Sequence, residues 1–113
     1  MNLPTGQAGP PVVSAIIPAY NAEDFIAETL DSVFAQTYRP LEIIVVDDGS
    51  TDRTAEVVKN YLQRNDNETN LRYIYQQNSG PSGARNSGIK SSTGKYVAFL
   101  DADDLWPEDK LSK

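Results

Sequence analysis

The stretches IIVVDDGS at residues 43–50 and YVAFLDADD at residues 96–104 each place acidic residues directly behind a short apolar run. Four or five successive apolar residues, many of them β-branched or aromatic, are typical of a parallel strand that is covered on both faces. The carboxylates then lie at the carboxyl ends of their strands, which is the edge where open α/β sheets bind ligands. Two acidic clusters at this edge predict a site for a divalent cation and for an anion that the cation brings.

The length and charge of the chain limit its function. At 113 residues it forms one domain at most, which is small for an α/β enzyme with two substrates, so we expect a piece of a longer catalytic domain. The composition, 39% hydrophobic and 23% charged, is that of a soluble globular protein. A net charge of −6 without any run of Lys and Arg argues against a nucleic-acid partner, because no basic surface meets the phosphates.

The residue types that are missing indicate a hard metal ion. The sequence has no Cys and no His, so a disulfide framework is excluded and zinc is disfavoured against Mg²⁺, Mn²⁺ or Ca²⁺. No stretch approaches the ~18 apolar residues of a membrane span. Residues 1–11, rich in Pro and Gly, lack the apolar core of a signal peptide and predict a flexible arm. We expect a cytoplasmic protein, at the cytoplasmic membrane face if a full-length form is membrane-associated.

Behind this arm, strand and helix patterns alternate along the chain. Apolar runs predict strands at residues 12–17, 41–46, 71–75 and 95–100, with helical patterns between them. This β-α-β-α-β-α-β series with short loops implies right-handed crossovers and an α/β fold with a doubly wound, mostly parallel, Rossmann-like sheet. We assign residues 12–113 to this one domain.

Local signals predict how the helices begin and pack. Asn21 is a candidate cap for the first helix, and Ser50 or Thr51 for the second. In the third helix Ala84 and Gly88 lie four residues apart, and their small size would let that helix pack closely on the sheet.

Common nucleotide and calcium motifs are not matched. A P-loop requires G-x-x-x-x-G-K-[ST], and GPSGARNSG at residues 80–88 has no Lys at the required place. A dinucleotide fingerprint requires G-x-G-x-x-G after the first strand, where this chain has PAYNAEDF at residues 18–25. An EF-hand requires oxygen ligands and a Gly where residues 101–109 have Leu105 and Trp106.

Four longer motifs carry a resemblance to a known family. They are VSAIIPAYNAEDFIAETLDSVFAQTY, LEIIVVDDGSTDRT, NSGPSGARNSGI and GKYVAFLDADDLWPEDKL, starting at residues 13, 41, 78 and 94. In order and spacing they resemble the amino-terminal, nucleotide-binding half of the family-2 nucleotide-sugar glycosyltransferases, over residues 12–113. The resemblance implies the A-type glycosyltransferase fold with strand order 3-2-1-4 and inverting hexosyl transfer. The loops after Pro18 and Leu100 would then flank the site, because the strand order reverses between strands one and four.

The resemblance also implies roles for residues of the first two loops. Asp48 would accept a hydrogen bond from the pyrimidine ring N–H, which suits a fixed carboxylate. Alternatively, either Asp48 or its neighbour Asp47 opens the DGST turn and caps the next helix, and for Asp47 this interpretation is at least as good. A base and ribose platform would follow strand one, formed by Pro18, Ala19 and Tyr20 and joined by Glu23. Ordinary loop packing is the alternative for Tyr20.

Further roles fall on the third loop and the D-x-D motif. Arg85 would bind the base or a diphosphate oxygen, with an ion pair to Asp48 or Asp101 as the structural alternative. Asp103, together with Asp101, would hold Mn²⁺ or Mg²⁺, and Asp101 with Ala102 would approach the nucleotide sugar at the ribose hydroxyl or a metal-bound water. Three acids that merely solvate a turn are disfavoured, because adjacent carboxylates repel one another.

The expected ligand is a UDP-hexose, with other nucleotide-diphosphate sugars as alternatives, and the acceptor is unknown. In this family the general base follows the D-x-D motif, so we expect it beyond Lys113 and no catalytic residue within the chain. The chain alone would then bind nucleotide weakly, transfer little or no sugar, and self-associate through uncovered sheet or apolar surface.

Other protein classes remain as alternatives. A noncatalytic nucleotide-binding or assembly module would have the same fold. A nucleotidyltransferase is less favoured, because it should carry a Gly-rich, basic loop after strand one. A receiver-type signalling domain is also disfavoured, because its pair of acidic residues should follow strand one.

Overall fold

The computed structural model describes residues 11–66 and 68–102. These residues form four strands, three α-helices and one 3₁₀ turn. In chain order the elements are β1 (Val13–Ala19), α1 (Ile26–Phe34), β2 (Leu41–Asp48), α2 (Thr54–Lys59), the 3₁₀ turn (Leu62–Arg64), β3 (Thr69–Gln76), α3 (Gly80–Ser91) and β4 (Tyr96–Phe99).

The four strands form one parallel sheet in the order β3-β2-β1-β4. The predicted α/β fold and strand order are therefore confirmed. In the register, Ala19 of β1 pairs with Asp47 of β2, and Ile16 pairs with Phe99 of β4. β1 lies between β2 and β4. The connection after β1 and the connection before β4 run over opposite faces of the sheet, so a crevice opens between them at the carboxyl ends of the strands.

The core has two layers, one on each face of the sheet. Alternate residues of β1 and β2, such as Ile17 and Val45, pack with Ile26, Leu30 and Val33 of α1. On the opposite face Ile16, Ile44 and Val46 pack with Ala84 of α3. Both central strands are buried on both faces, which is why they read as continuous apolar runs rather than as alternating ones.

The helix starts differ from the local predictions. Asn21 does not cap α1, which begins at Ile26. Instead its side-chain Oδ1 accepts a hydrogen bond from the Thr51 backbone N–H at 2.8 Å. Neither predicted cap of α2 is used, because Asp52 Oδ1 accepts from the backbone N–H of Thr54 at 3.0 Å. The prediction for α1 was wrong because the Asn21 side chain binds the backbone of another loop, which sequence-local cap rules do not consider. The prediction for α2 was wrong because that helix begins at Thr54, where the nearer Asp52 accepts the N–H.

Three further predictions concern the N-terminal arm, a membrane span and exposed apolar surface. The predicted arm lies outside the described residues, except for Pro11. No helix in residues 11–66 and 68–102 is long and apolar enough to cross a membrane. At the sheet edge, Tyr96, Val97 and Phe99 of β4 are exposed, so apolar surface of the expected kind is present, while self-association stays a prediction.

A buried carboxylate ties the strands together at the opposite end of the sheet. Glu42 Oε1 accepts from Ser14 Oγ at 2.7 Å and from the Thr93 backbone N–H at 2.9 Å, and Oε2 accepts from Arg72 Nη1 at 3.0 Å. Burial raises the pKa of Glu42, but the hydrogen bonds from Thr93, Ser14 and Arg72 together lower it below its ordinary value. The network joins β1, β2 and β3 to the start of β4.

The pKa of Glu42 makes a prediction about acid stability. A folded-state pKa below the unfolded value adds stability above the unfolded pKa, and that stability is lost as the pH falls through the folded pKa. We expect Glu42→Gln to lower the free energy of unfolding by about 1–3 kcal/mol at pH 7, and this loss should shrink as the pH is lowered below about 4.5. Urea unfolding across pH 3–7 measures both; Glu28→Gln, exposed on α1, is the control. A loss that is constant with pH would contradict the assignment.

Close packing of α3 on the sheet, predicted from Ala84 and Gly88, is observed. Both residues are buried, and a Cβ built on Gly88 would lie 2.4 Å from Ile16 Cγ2. That distance is far below a normal carbon contact. Glycine at position 88 therefore determines how closely the helix approaches β1.

We expect Gly88→Ala to lower the free energy of unfolding by about 1–3 kcal/mol, because the added methyl overpacks against Ile16. The sign is diagnostic, since Gly→Ala within an exposed helix gains about 1 kcal/mol. Asn86→Ala on the exposed face of the same helix is the control. Chemical denaturation that finds Gly88→Ala more stable than the original chain would refute the close contact.

Candidate functional site

A cleft of about 320 Å³ lies at the carboxyl end of the sheet. Its walls come from the loops after β1, β2 and β4 and from the start of α3. The lining residues are Pro18, Ala19, Tyr20, Asp48, Asn78, Gly80, Pro81, Ala84 and Asp101. Five of the residues proposed for nucleotide-sugar binding therefore lie around one cleft, as their placement behind neighbouring strands predicts.

Asp48 is held in the wall of this cleft by a set of donors. Its Oδ1 accepts from Gln76 Nε2 and from the Ser79 backbone N–H, both at 2.9 Å, and more distantly from Ser79 Oγ at 3.3 Å. Its Oδ2 accepts from the Gly80 backbone N–H at 2.9 Å. The residue is 4% exposed. Asp48 thus joins the end of β2 to the first turn of α3, where backbone N–H groups favour a negative charge.

These contacts leave the carboxylate charged and oriented. Burial raises the pKa of Asp48, but the hydrogen bonds from Gln76, Ser79 and Gly80 together lower it below its ordinary value. A carboxylate oxygen has about two lone-pair directions, and Oδ2 uses one of them for Gly80. Asp48 can therefore accept one more hydrogen bond from a ligand without giving up its structural contacts.

Asp47 opens the turn that follows β2, which was the alternative interpretation of this residue. Its Oδ1 accepts from the Ser50 backbone N–H at 2.9 Å and so opens the DGST turn. Its Oδ2 accepts from the Tyr73 hydroxyl at 2.5 Å. Burial first, and then this hydrogen bond, raise the pKa of Tyr73. Asp47 is fully buried and does not line the cleft.

The loops after β1 and β2 are linked to each other beside Tyr20. The backbone N–H of Asn21 donates to Ser50 Oγ at 2.8 Å, and that of Ala22 donates to Thr54 Oγ1 at 2.8 Å. Asn21 itself has a positive φ of 47°, a conformation that asparagine tolerates better than most residues. Tyr20 is 55% exposed, so its ring stands at the mouth of the cleft on a braced loop.

Glu23 is placed apart from the other predicted site residues. Its Oε1 accepts from the Arg53 backbone N–H at 3.2 Å, while its own backbone N–H donates to Asp52 Oδ2 at 3.1 Å. This reciprocal pair joins the loop after β1 to the start of α2. Glu23 does not line the cleft, and its role at the nucleotide stays a prediction.

The loop after β4 carries Asp101 to the cleft beside Arg85. Arg85 Nη2 lies 3.3 Å from Asp101 Oδ1, so the predicted alternative of an ion pair with Asp101 is observed. Both side chains are more than one third exposed, at 40% and 59%, and the pair is therefore weak. Arg85 itself does not line the cleft, and its role at a base or a diphosphate oxygen stays a prediction.

Of the two predicted metal ligands, the structure describes only Asp101. Asp103 lies outside the described residues. Among those described, no group of three acidic side chains is arranged to hold a metal ion. Asp101 is an exposed oxygen donor at the cleft, which is the ligand type that Mg²⁺ and Mn²⁺ prefer. The donor chemistry fits a hard cation.

Several cleft residues were not predicted individually. Asn78, Gly80 and Pro81 line the cleft from the start of α3. Ala102, which was predicted for the site, does not line this cleft but lines a second hollow together with Tyr20. The Gly-rich stretch after β3 was the available signal. Gly80 takes a positive φ of 88°, which frees its N–H to face Asp48.

Solved structures define the class of this fold. The chain superimposes on S. aureus TarS 1-349 in complex with UDP-GlcNAc with a TM-score of 0.80 and 38% identity, covering 88% of this chain and 29% of that one. It matches mannosyltransferase PcManGT from Pyrobaculum calidifontis in complex with GDP-Man and Mn²⁺ with a TM-score of 0.80 and 34% identity, covering 88% and 30%. The fold is that of the A-type glycosyltransferases.

Sequence comparison identifies the family. Residues 14–113 match Glycosyl transferase family 2, and the chain belongs to that family. It is 45% identical over 103 residues to the putative teichuronic acid biosynthesis glycosyltransferase TuaG of Bacillus subtilis, covering 91% of this chain and 40% of the relative. The chain spans between 14% and 40% of the length of the curated relatives it matches.

The contacts of Asp48 predict a structural cost for its loss. We expect Asp48→Asn to lower the free energy of unfolding by about 1–3 kcal/mol, because the amide N–H₂ has to face the N–H of either Ser79 or Gly80, and that hydrogen bond is lost. Asp24→Asn, the same change at an exposed position, is the matched control. Urea denaturation at pH 7 measures both. Equal stability of the two variants would show that Asp48 is not bound to α3 as described.

Proposed function

We propose that this chain forms the donor-binding part of an inverting, metal-assisted glycosyltransferase that uses a UDP-hexose. The observation that supports this most strongly is the common cleft of Asp48, Tyr20 and Asp101. These residues come from the end of β2 and from the loops after β1 and β4, and they would provide an acceptor for a base, a flat aromatic face and a carboxylate for a cation. The cytoplasmic location is part of the same proposal, and the acceptor is an unspecified hydroxyl.

Recognition of the base would depend on Asp48. Uracil carries a ring N–H donor, and Asp48 Oδ2 has one lone-pair direction beyond its contact with Gly80. The carboxylate is already oriented by its other donors, so little order has to be gained on binding. Tyr20 would provide a face for the base or ribose, next to Pro18 and Ala19.

The diphosphate would lie toward Asp101 and Arg85. Asp101, with Asp103, would hold Mn²⁺ or Mg²⁺, which neutralises charge on a departing nucleoside diphosphate when bound. Arg85 would leave its weak pair with Asp101 and donate to a phosphate oxygen, because a planar guanidinium matches phosphate geometry. Two acids at the cleft otherwise repel an anion, so a cation partner is required for binding.

The comparisons support a nucleotide-sugar donor. TarS was solved in complex with UDP-GlcNAc, and PcManGT in complex with GDP-Man and Mn²⁺. We propose a uridine donor on the strength of Asp48 and the TarS likeness. In inverting transfer the acceptor oxygen attacks the anomeric carbon from the face opposite the leaving diphosphate, while a base takes its proton. The described residues would hold the leaving-group side of this reaction.

Calorimetric titration of the chain with UDP, with and without Mn²⁺, tests the proposal. We expect binding that depends on Mn²⁺ and is weakened at least about tenfold by Asp101→Asn, since a carboxylate at the cation is lost. Asp24→Asn, an equal charge change on an exposed turn, should bind as the original chain does.

CDP is the sharpest ligand control for the same titration. Cytosine has a ring acceptor where uracil has a ring N–H, so it cannot donate to Asp48 there, and we expect it to bind about tenfold more weakly than UDP. Absence of UDP binding in the presence of Mn²⁺ would favour a noncatalytic assembly module. Equal affinity for UDP and CDP would contradict the role of Asp48.

A further inference from the structure

Thr29 is a polar residue within the buried stripe of α1. It is 0% exposed, and its neighbours on that stripe are Ile26, Leu30 and Val33. A buried hydroxyl costs free energy unless it is hydrogen-bonded, and a valine of the same shape would otherwise suit this position. Its partners therefore indicate what the hydroxyl does.

The hydroxyl of Thr29 reaches the middle of the D-x-D motif. Thr29 Oγ1 lies 2.5 Å from the backbone carbonyl oxygen of Ala102 and 3.1 Å from that of Phe25. The hydroxyl has one proton, which the two carbonyl oxygens share, and the contact to Phe25 is the kind that a helical threonine usually makes to the preceding turn. The shorter contact, to Ala102, joins residues that are 73 positions apart.

This contact lies beyond the last sheet hydrogen bond of β4 within the residues that the structure describes. The last ladder bond between β4 and β1 runs from the Leu100 N–H to the Ile16 carbonyl at 3.0 Å. Beyond it, Ala102 packs against the core on the α1 face, and Asp101 pairs with Arg85 of α3 on the other face. The Arg85 pair is weak and exposed, so the part-buried Thr29 bond is the firmer of these two anchors.

We propose that Thr29 is a positioning residue for the donor site. Its hydroxyl binds the Ala102 carbonyl to α1 and thereby holds the Asp101 carboxylate at the cleft opposite Asp48. The proposal rests on the proposed function for its effect on UDP, but the anchoring itself can be measured without any ligand. Nothing in the sequence pattern distinguishes Thr29 from an ordinary member of an amphipathic helix.

Three variants of the full chain separate anchoring from simple stability. Thr29→Val keeps the shape and removes the hydroxyl, and Thr29→Ser keeps the hydroxyl and removes the methyl. Val33→Ala, buried on the same stripe of α1, lowers stability without touching the Ala102 carbonyl. The first readout is the backbone ¹⁵N order parameter of Asp101 and Ala102 in the ligand-free chain. We expect values near 0.8 in the original chain, Thr29→Ser and Val33→Ala, and below about 0.6 in Thr29→Val.

The second readout is the affinity for UDP in the presence of Mn²⁺, corrected for the folded fraction. We expect Thr29→Val to bind about tenfold more weakly, and both Thr29→Ser and Val33→Ala to stay within about twofold of the original chain. Unchanged order parameters in Thr29→Val overturn the anchor whatever the ligand does. If Thr29→Val lowers the order parameters of Asp101 and Ala102 but leaves the UDP affinity unchanged, Thr29 has no positioning role at the donor site. The same holds if Val33→Ala loses as much UDP affinity as Thr29→Val does. If the original chain binds no UDP, the donor-site proposal fails, and the order parameters alone decide whether Thr29 anchors this segment.

Discussion

The parallel pairing of β1 with both β2 and β4 determines where the polar groups of the cleft lie. It brings the ends of these three strands to one edge, so that the residues following each apolar run face a common space. The strands are buried on both faces, so a shift of register would expose apolar side chains and is strongly disfavoured. The position of Asp48 relative to Asp101 therefore follows from the core, and the loops only refine it.

The refinement comes from side chains that bind the backbone of a neighbouring loop. Asp48 binds the start of α3, Asn21 and Ser50 join the first two loops, and Thr29 holds Ala102. Each of these bonds joins residues that are distant in sequence. Together they brace the cleft before any ligand arrives, which reduces the ordering cost of binding.

The fold was predictable because its signals are local and strong. Runs such as residues 43–46 can hardly be anything but buried strands, and the small pair Ala84 and Gly88 indicated the close approach of α3. Predicting the strand order and the family required the resemblance of the four motifs to a known family, because apolar patterns alone do not determine the order of strands in a sheet. Five residues of the candidate site lie around one cleft, because a residue directly behind a strand takes its position from that strand, while their roles stay predictions.

What the sequence did not reveal depends on tertiary contacts. Asn21 looks like a helix cap, yet it binds Thr51, and Glu23 accepts from the Arg53 N–H just before α2 and does not line the cleft. Asp48 binds the first turn of α3 rather than that of α2. A polar side chain near two loops has several local partners of similar free energy, and the packing of the whole domain selects among them.

A crystal structure of the chain grown with UDP and Mn²⁺ would test most directly whether the two acidic loops form one nucleotide site. We expect the uracil ring N–H to lie within about 3.2 Å of Asp48 Oδ2, with the diphosphate and the cation on the Asp101 side of the same cleft. Uridine bound away from Asp48, or a diphosphate placed on another face of the sheet, would contradict the assignment of this cleft as the donor site.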